Sequence, residues 1–360
     1  MESQHVAISV DTVVHRKSQK KHYDPASPPD IPIFGSVPIV AHTLQIVFRL
    51  SRPRTWVFPA SSFILGYTIT GGNQLSQIAL GLVVAALVTA ATNIINAYAD
   101  KHEDAVNQPS RVFWIEQIGS RGTVASTVVL YGTAAAVSVL LGPLFMIVLA
   151  VGIFNSIFYS ARPLRFKARP FPSLVSFSGA VGLAFLSGAS IMGSLNLSNP
   201  VLWLVTYFMF TYGTVKNLPD YLGDKKVGTH TSATIFKNIN SAARFSAVLL
   251  STPYMLLIGL VIAGALPTIY LADLGMALML IFIVLMIFKS KSSQQLEKAH
   301  TFGFFYAISF LLFTIVLSSP TLLSITIILT AYLWTLLVSK VNIDSRVENR
   351  DWEKPRGHKA

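Results

Sequence analysis

The sequence contains no cysteine, and it is poor in acid: 16 Asp and Glu stand against 28 Lys and Arg in 360 residues. The first absence excludes a disulfide framework, a thiolate metal site and a thiol nucleophile; it also fits a site that faces the cytoplasm. Charge of either sign is scarce, at 12% of residues, about half the usual share for a soluble domain. A chain that is 52% hydrophobic with a mean hydropathy of +0.56 could not cover its own surface in water. It reads as one intramembrane domain rather than two soluble ones. The net charge of +12 does not point to nucleic acid, because the basic residues flank apolar runs and form no single patch. No apolar segment follows the N-terminal basic cluster Arg16-Lys17 and Lys20-Lys21-His22, so the start of the chain is not expected to be a signal peptide. Residues 1–41, with their proline-rich DPASPPDIP, read as a disordered polar and basic cytoplasmic tail in reach of anionic lipid. No repeat of 20–50 residues is evident.

What is abundant is apolar run. After an amphipathic stretch at 42–54, runs follow at about 56–70, 76–98, 123–141, 143–159, 172–193, 199–215, 243–264, 267–288, 301–317 and 321–339. Most approach the ~20 residues that cross ~30 Å of hydrocarbon. The expected fold is therefore an all-α integral membrane bundle of about nine to ten transmembrane helices over 42–340, followed by a polar cytoplasmic tail at 341–360. Lys and Arg occupy every second connection, for example Lys101, Arg111 and Arg121, then Arg162 to Arg169, then Lys216 to Arg244. The connections near 71–75, 142–143, 193–200, 265–267 and 318–320 contain none. The positive-inside rule then puts both termini in the cytoplasm, in a plasma (inner) membrane. Asp273, the one acid well inside a run, reads as an interfacial hydrogen-bonded carboxylate.

Polar groups interrupt this pattern at two helix ends. Asn96, Asp100 and Asp104 stand at four-residue steps, so on a helix they form one polar stripe rising ~6 Å per step. Asn217, Asp220 and Asp224 repeat the arrangement far downstream, again after an apolar run. Carboxylates at the end of a membrane helix are costly unless they meet water, a partner or a metal. Hard oxygen ligands completed by waters and phosphates are what Mg²⁺ prefers. Two such stripes on the cytoplasmic side suggest two halves of one site.

The same residues carry a family resemblance. Asn93-x-x-Asn96-x-x-x-Asp100-x-x-x-Asp104, followed by Asn107-x-Pro109-x-Arg111, resembles the first Asp-rich motif of the UbiA-type intramembrane prenyltransferases, and Asp220-x-x-Gly223-Asp224-x-x-x-Gly228-x-x-Thr231 resembles their second. The likeness runs from about Leu50 to about Val316. It implies Mg²⁺-dependent transfer of a prenyl group from an allylic diphosphate to an aromatic or other lipophilic acceptor within the membrane. Asp100, Asp104, Asp220 and Asp224 would be the catalytic acids and, with Asn96, the metal ligands; Asn217 would complete coordination or hold a ligated water. The segment Tyr159 to Lys167 resembles the family's diphosphate-contacting loop. Arg162, Arg165 and Lys167 offer charge-assisted donors to phosphate, Tyr159 a further one, and Asn155 shares its helix face.

Two departures stand out. Asn217 replaces an acid found in many relatives, and VFWIEQIGSRG, read as a loop, follows Arg111 where many have a short proline-rich segment. The second weakens the inference of an aromatic quinone-precursor acceptor. Arg52-Pro53-x-Thr55-Trp56 is similar to the chlorophyll-synthase and related branches. Aromatics near the motifs in sequence (Phe154, Phe158, Tyr207, Phe208, Phe210) suit lipid or core positions better than catalysis, and none is assigned to the site. The rival readings are a membrane terpene cyclase of the same superfamily and a transporter. Carboxylates gathered at one membrane face, not the midplane, argue against the transporter.

Overall fold

In a computed structural model that describes residues 39–339, every regular element is helical. An amphipathic helix α1 (Ile39–Leu50) leads through a 3₁₀ turn (Pro53–Trp56) into α2 (Val57–Ile69). Then come α3 (Leu75–Ala99), the short α4 (Lys101–Asn107), α5 (Pro109–Ser138), α6 (Pro143–Ser160), α7 (Pro170–Ile191) and α8 (Pro200–Lys216). The short α9 (Tyr221–Val227) precedes α10 (Ile239–Ile262), a 3₁₀ stretch (Thr268–Met276), α11 (Ala277–Lys289), α12 (Ser293–Ser318) and α13 (Leu322–Ser339). Proline opens α5, α6, α7 and α8, where its missing N–H has no helical partner to lose.

All ten apolar runs are helical, and among the described residues eight helices are long and apolar enough to cross a membrane. The other two runs form α2, of 13 residues, and α8, of 17. The expected tails lie outside the described residues, save 39–41, which belong to α1.

One segment differs from expectation. Residues 101–118 are helical rather than a loop: α4 and the first leg of α5 lie there, with Phe113, Trp114 and Ile115 buried. Gly119, at φ 67°, breaks α5 in a conformation that favours glycine, so the amphipathic leg and the membrane leg are separate in direction though continuous in chain.

The centre of the bundle is the crossing of α2 and α7. An added Cβ on Gly66 would sit 1.9 Å from the Phe185 carbonyl oxygen, and one on Gly188 would sit 2.0 Å from that of Phe63. The two helices thus approach backbone to backbone at reciprocal glycines. Between these points and the helix ends nearer the acidic motifs, the Ser62 hydroxyl donates to the Val181 carbonyl at 2.7 Å. Lipid is as apolar as the side chains, so close packing and interhelical hydrogen bonds, not hydrophobicity, hold such a crossing.

Candidate active site

The first motif keeps its stripe through a change of helix. Although α3 ends at Ala99, the i to i−4 bonds continue: Asp100 N–H to Asn96 carbonyl at 2.9 Å, Asp104 to Asp100 at 2.8 Å, and Gln108 to Asp104 at 2.7 Å. Asp100 and Asp104 therefore stay in line beyond Asn96, and both are buried. Asn93, three residues earlier, is structural: its Nδ2 donates to the Ser51 carbonyl at 2.8 Å and to the Thr55 hydroxyl at 2.9 Å. In the second motif α8 stops at Lys216, and a turn through Asn217 and Asp220 starts α9, which holds Asp224 buried. Asn217 donates to the Ser232 hydroxyl at 2.9 Å.

The basic loop folds back onto the first motif. Lys167 pairs with Asp100 and Arg165 with Glu103, while Arg111 meets Asp104 at 2.9 Å. Arg165 reaches its partner from a left-handed backbone, φ 38°. Glu103, which the spacing argument passed over, is buried and also accepts a bond from the Thr229 hydroxyl, so it joins the first motif to the second. Arg162 is exposed and stands apart from this set. Asn155 exchanges hydrogen bonds with Ser176, donating to its carbonyl at 2.9 Å and accepting from its hydroxyl at 2.7 Å. The Tyr159 hydroxyl accepts from Lys216 at 3.3 Å.

The electrostatics bear the mark of both motifs. Burial pushes the Asp104 carboxyl up to about 7; Arg111 pulls it down, and the Asp100 and Asp220 carboxylates add to the rise. Burial alone would lower Lys167, but Asp100 beside it leaves the ammonium above its ordinary range. Burial would raise Glu103, but Lys167 and Arg165 hold it below the usual carboxylate value.

Beneath the stripe lies a cavity of about 230 Å³. Asn96 lines its polar end, one turn from Asp100, and its lining includes Asn155 and Tyr159 but no Asp or Glu. Its cations are Arg52, Arg54 and Lys216, with His300 nearby on α12. Its aromatic faces are Phe58, Phe145, Phe177, Tyr212 and Phe304; the Arg54 guanidinium stacks 4.6 Å from the Phe304 ring and the Lys216 ammonium 5.0 Å from Phe177. None of Phe154, Phe158, Tyr207, Phe208 and Phe210 lines it, and Phe208 instead stacks on Phe310 in the core. The cations were legible only as flanking charge. Their one local signal was the Arg52 to Trp56 stretch, and Lys216 directly precedes Asn217.

The donors here suit a hard divalent cation in kind. They are carboxylate and amide oxygens, and the Asn96 Oδ1 is buried without a hydrogen-bond partner. Among the described residues no three acidic or histidine groups converge closely enough to hold one ion. That matches Mg²⁺, which takes one or two protein carboxylates and fills its octahedron with waters and substrate phosphates.

Comparison with known proteins gives three kinds of match. The family model described as UbiA prenyltransferase family matches residues 57–309. The 34 kDa chain of bacteriochlorophyll synthase from Chloroflexus aurantiacus is 26% identical over 244 residues, covering 65% of this chain and 78% of that one. Digeranylgeranylglyceryl phosphate synthase from Halobacterium salinarum is 29% identical over 187 residues, 51% and 66% of the two chains. Among solved structures, a UbiA homolog from Archaeoglobus fulgidus bound to DMAPP and Mg²⁺ superposes with a TM-score of 0.58 at 19% identity, covering 74% of this chain and 98% of its own. The apo UbiA homolog of Aeropyrum pernix K1 gives 0.60 at 16% identity, with 74% and 98% covered.

Proposed function

The chain belongs to the UbiA prenyltransferase family, and from that membership we propose that it transfers a prenyl group from an allylic diphosphate to a lipophilic acceptor inside the membrane, with Mg²⁺ as cofactor. The names of its relatives, a bacteriochlorophyll synthase and a digeranylgeranylglyceryl phosphate synthase, support the reaction class, and the neighbour bound to DMAPP and Mg²⁺ supports the donor and the metal. The observation that carries the reading is the junction of two acidic motifs with an apolar, acid-free, cation-bearing cavity. A prenyl diphosphate has that same division, a polyanionic head on an apolar tail.

In this reading Asp100 and Asp104 with Asn96, and Asp220 and Asp224, would hold Mg²⁺ ions, no ion taking more than two of the carboxylates, and the bound metal would supply neutralising charge for the departing diphosphate. Lys167 and Arg165, already drawn to the first motif, offer charge-assisted donors to the phosphate oxygens. Arg52, Arg54 and Lys216 supply positive charge at the cavity wall. The tail lies among α2, α3, α6 and α7. Once the allylic C–O bond breaks, the faces of Phe58, Phe177, Tyr212 and Phe304 shield the cation from water and stabilise it through their quadrupoles. Asn155, locked to Ser176, shapes the wall rather than gripping the head. We place the motif face in the cytoplasm of the plasma membrane on the distribution of Lys and Arg.

The test is mass spectrometry of products formed by pure protein given prenyl diphosphates of several lengths and a panel of lipophilic acceptors. The expected result is a prenylated acceptor and free diphosphate, both lost on chelation of Mg²⁺. Absence of Mg²⁺-dependent diphosphate release with every donor would refute the function.

A further inference from the structure

The turn that bears Arg52 and Arg54 is held from a distance by the last helix. Trp334, on α13, donates its indole N–H to the Pro53 carbonyl at 2.9 Å and stacks on Trp56, ring centroids 5.6 Å apart and planes at 26°. Phe48 of α1 closes the other side of Trp56 edge-on at 5.9 Å. Inside the turn, the Trp56 indole donates to the Ser51 carbonyl at 3.0 Å, and Thr55 donates to the Arg52 carbonyl at 2.9 Å through its hydroxyl and at 2.8 Å through its N–H. Arg52 sits at φ 51°, a left-handed conformation that is uncommon for any residue but glycine and is held when its surroundings impose it. Both partners of the Trp334 contact, the turn at 53–56 and residue 334, fall outside the stretch 57–309 that matches the family. Arg52 and Arg54 nonetheless line the cavity.

We infer that Trp334 is a positioning residue: α13 acts as a strut that fixes the Ser51–Trp56 turn so that Arg52 and Arg54 present their charge to a diphosphate anion in the cavity. The inference rests on the proposed function for the identity of the anion, but not for the strut itself. A hydrogen bond and a ring stack are lost together in Trp334→Ala, whereas Trp334→Phe keeps a ring for Trp56 and loses only the N–H.

Two measurements on the full-length purified chain test it. The first is limited trypsin digestion at the Arg54–Thr55 bond, which needs no activity; the Arg52–Pro53 bond is protected by its proline. Cleavage should be slow in the wild type, about 5- to 30-fold faster in Trp334→Ala, and intermediate in Trp334→Phe. The second is the affinity for inorganic pyrophosphate in the presence of Mg²⁺, which should fall in the same order and by a similar factor, while the apparent melting temperature of Trp334→Phe stays at the wild-type value. Unchanged cleavage at Arg54 in Trp334→Ala overturns the strut. Faster cleavage with wild-type pyrophosphate affinity overturns the role of the strut in anion binding. A wild-type chain that binds no pyrophosphate at all refutes the proposed function instead, and the digestion still decides whether the strut exists.

Discussion

Gly66→Ala and Gly188→Ala each place a methyl group against backbone, the one neighbour that cannot turn aside. The added Cβ would lie 1.9 Å from the Phe185 oxygen or 2.0 Å from the Phe63 oxygen, and real Cβ contacts essentially never fall under 3.0 Å. The helices must therefore separate by about 1 Å, the difference between those distances. Overpacking of this kind costs about 1–3 kcal/mol. Separation also stretches the 2.7 Å bond from Ser62 to Val181, and losing it adds about 0.5–1.5 kcal/mol. A total of roughly 2–4 kcal/mol should lower the apparent melting temperature in detergent by about 4–8 °C. Activity should fall too, because Phe58 on α2 and Phe177 on α7 both line the cavity. Gly132→Ala is the matched control: its Cβ meets nothing within 4 Å, so its melting temperature should match or exceed that of the wild type. If both crossing variants melt with the control and keep wild-type turnover, the α2–α7 approach is not the tight contact described.

The carboxylates give a sharper functional loss. Asp100→Ala, Asp104→Ala, Asp220→Ala and Asp224→Ala should each cut turnover by about two orders of magnitude or more, since each removes charge stabilisation worth several kcal/mol; near wild-type rates in any two would refute the metal assignment. In the basic loop the structure separates residues that the sequence grouped. Lys167→Ala should reduce kcat/KM for the donor by ~10- to 150-fold, the equivalent of one charge-assisted bond, whereas exposed Arg162→Ala should change it only slightly; equal losses would show that burial against the first motif is irrelevant. Orientation is testable because the chain has no cysteine of its own. A single cysteine at the exposed Asn73 or Asn196 should react with an impermeant thiol reagent in intact cells, and one at the exposed His230 should not, with the reverse pattern overturning the cytoplasmic placement of the motifs.

Much of the scaffold was legible because a bilayer restricts the choices: long apolar runs must be helices, and all ten are. The acidic stripe was legible because four-residue spacing survives the junction at Asp100, whose N–H still bonds to the Asn96 carbonyl and whose carbonyl accepts from Asp104. The cavity wall was not. Helices apolar on all sides give no periodic clue to which face looks inward, so Phe58, Phe145 and Phe304 were indistinguishable from their lipid-facing neighbours, and nearby Phe154 is half exposed. Flanking cations posed the same problem: Lys216 and Arg54 face the cavity while Arg162 faces solvent, and only tertiary contacts separate them. The helicity of 101–118 was hidden by its polar composition and by Gly119. Glu103 lay outside the four-residue stripe, so its link to Arg165 and Thr229 appears only when three separate segments meet.

The first motif supplies its own counter-ions. Lys167 and Arg111 already sit on Asp100 and Asp104, so a free divalent cation must compete with covalently tethered ammonium and guanidinium groups whose local concentration never falls. A cation that arrived with a diphosphate would have that contest offset: Lys167 and Arg111, on yielding the carboxylates, would gain phosphate oxygens in exchange, so no charge would be stranded in a buried place. On the proposed function this makes binding ordered and synergistic, with the magnesium isotherm shallow alone and tighter when pyrophosphate is present, and equal isotherms would disprove the exchange. It would also confine assembly of the reactive centre to the moment a donor is in place.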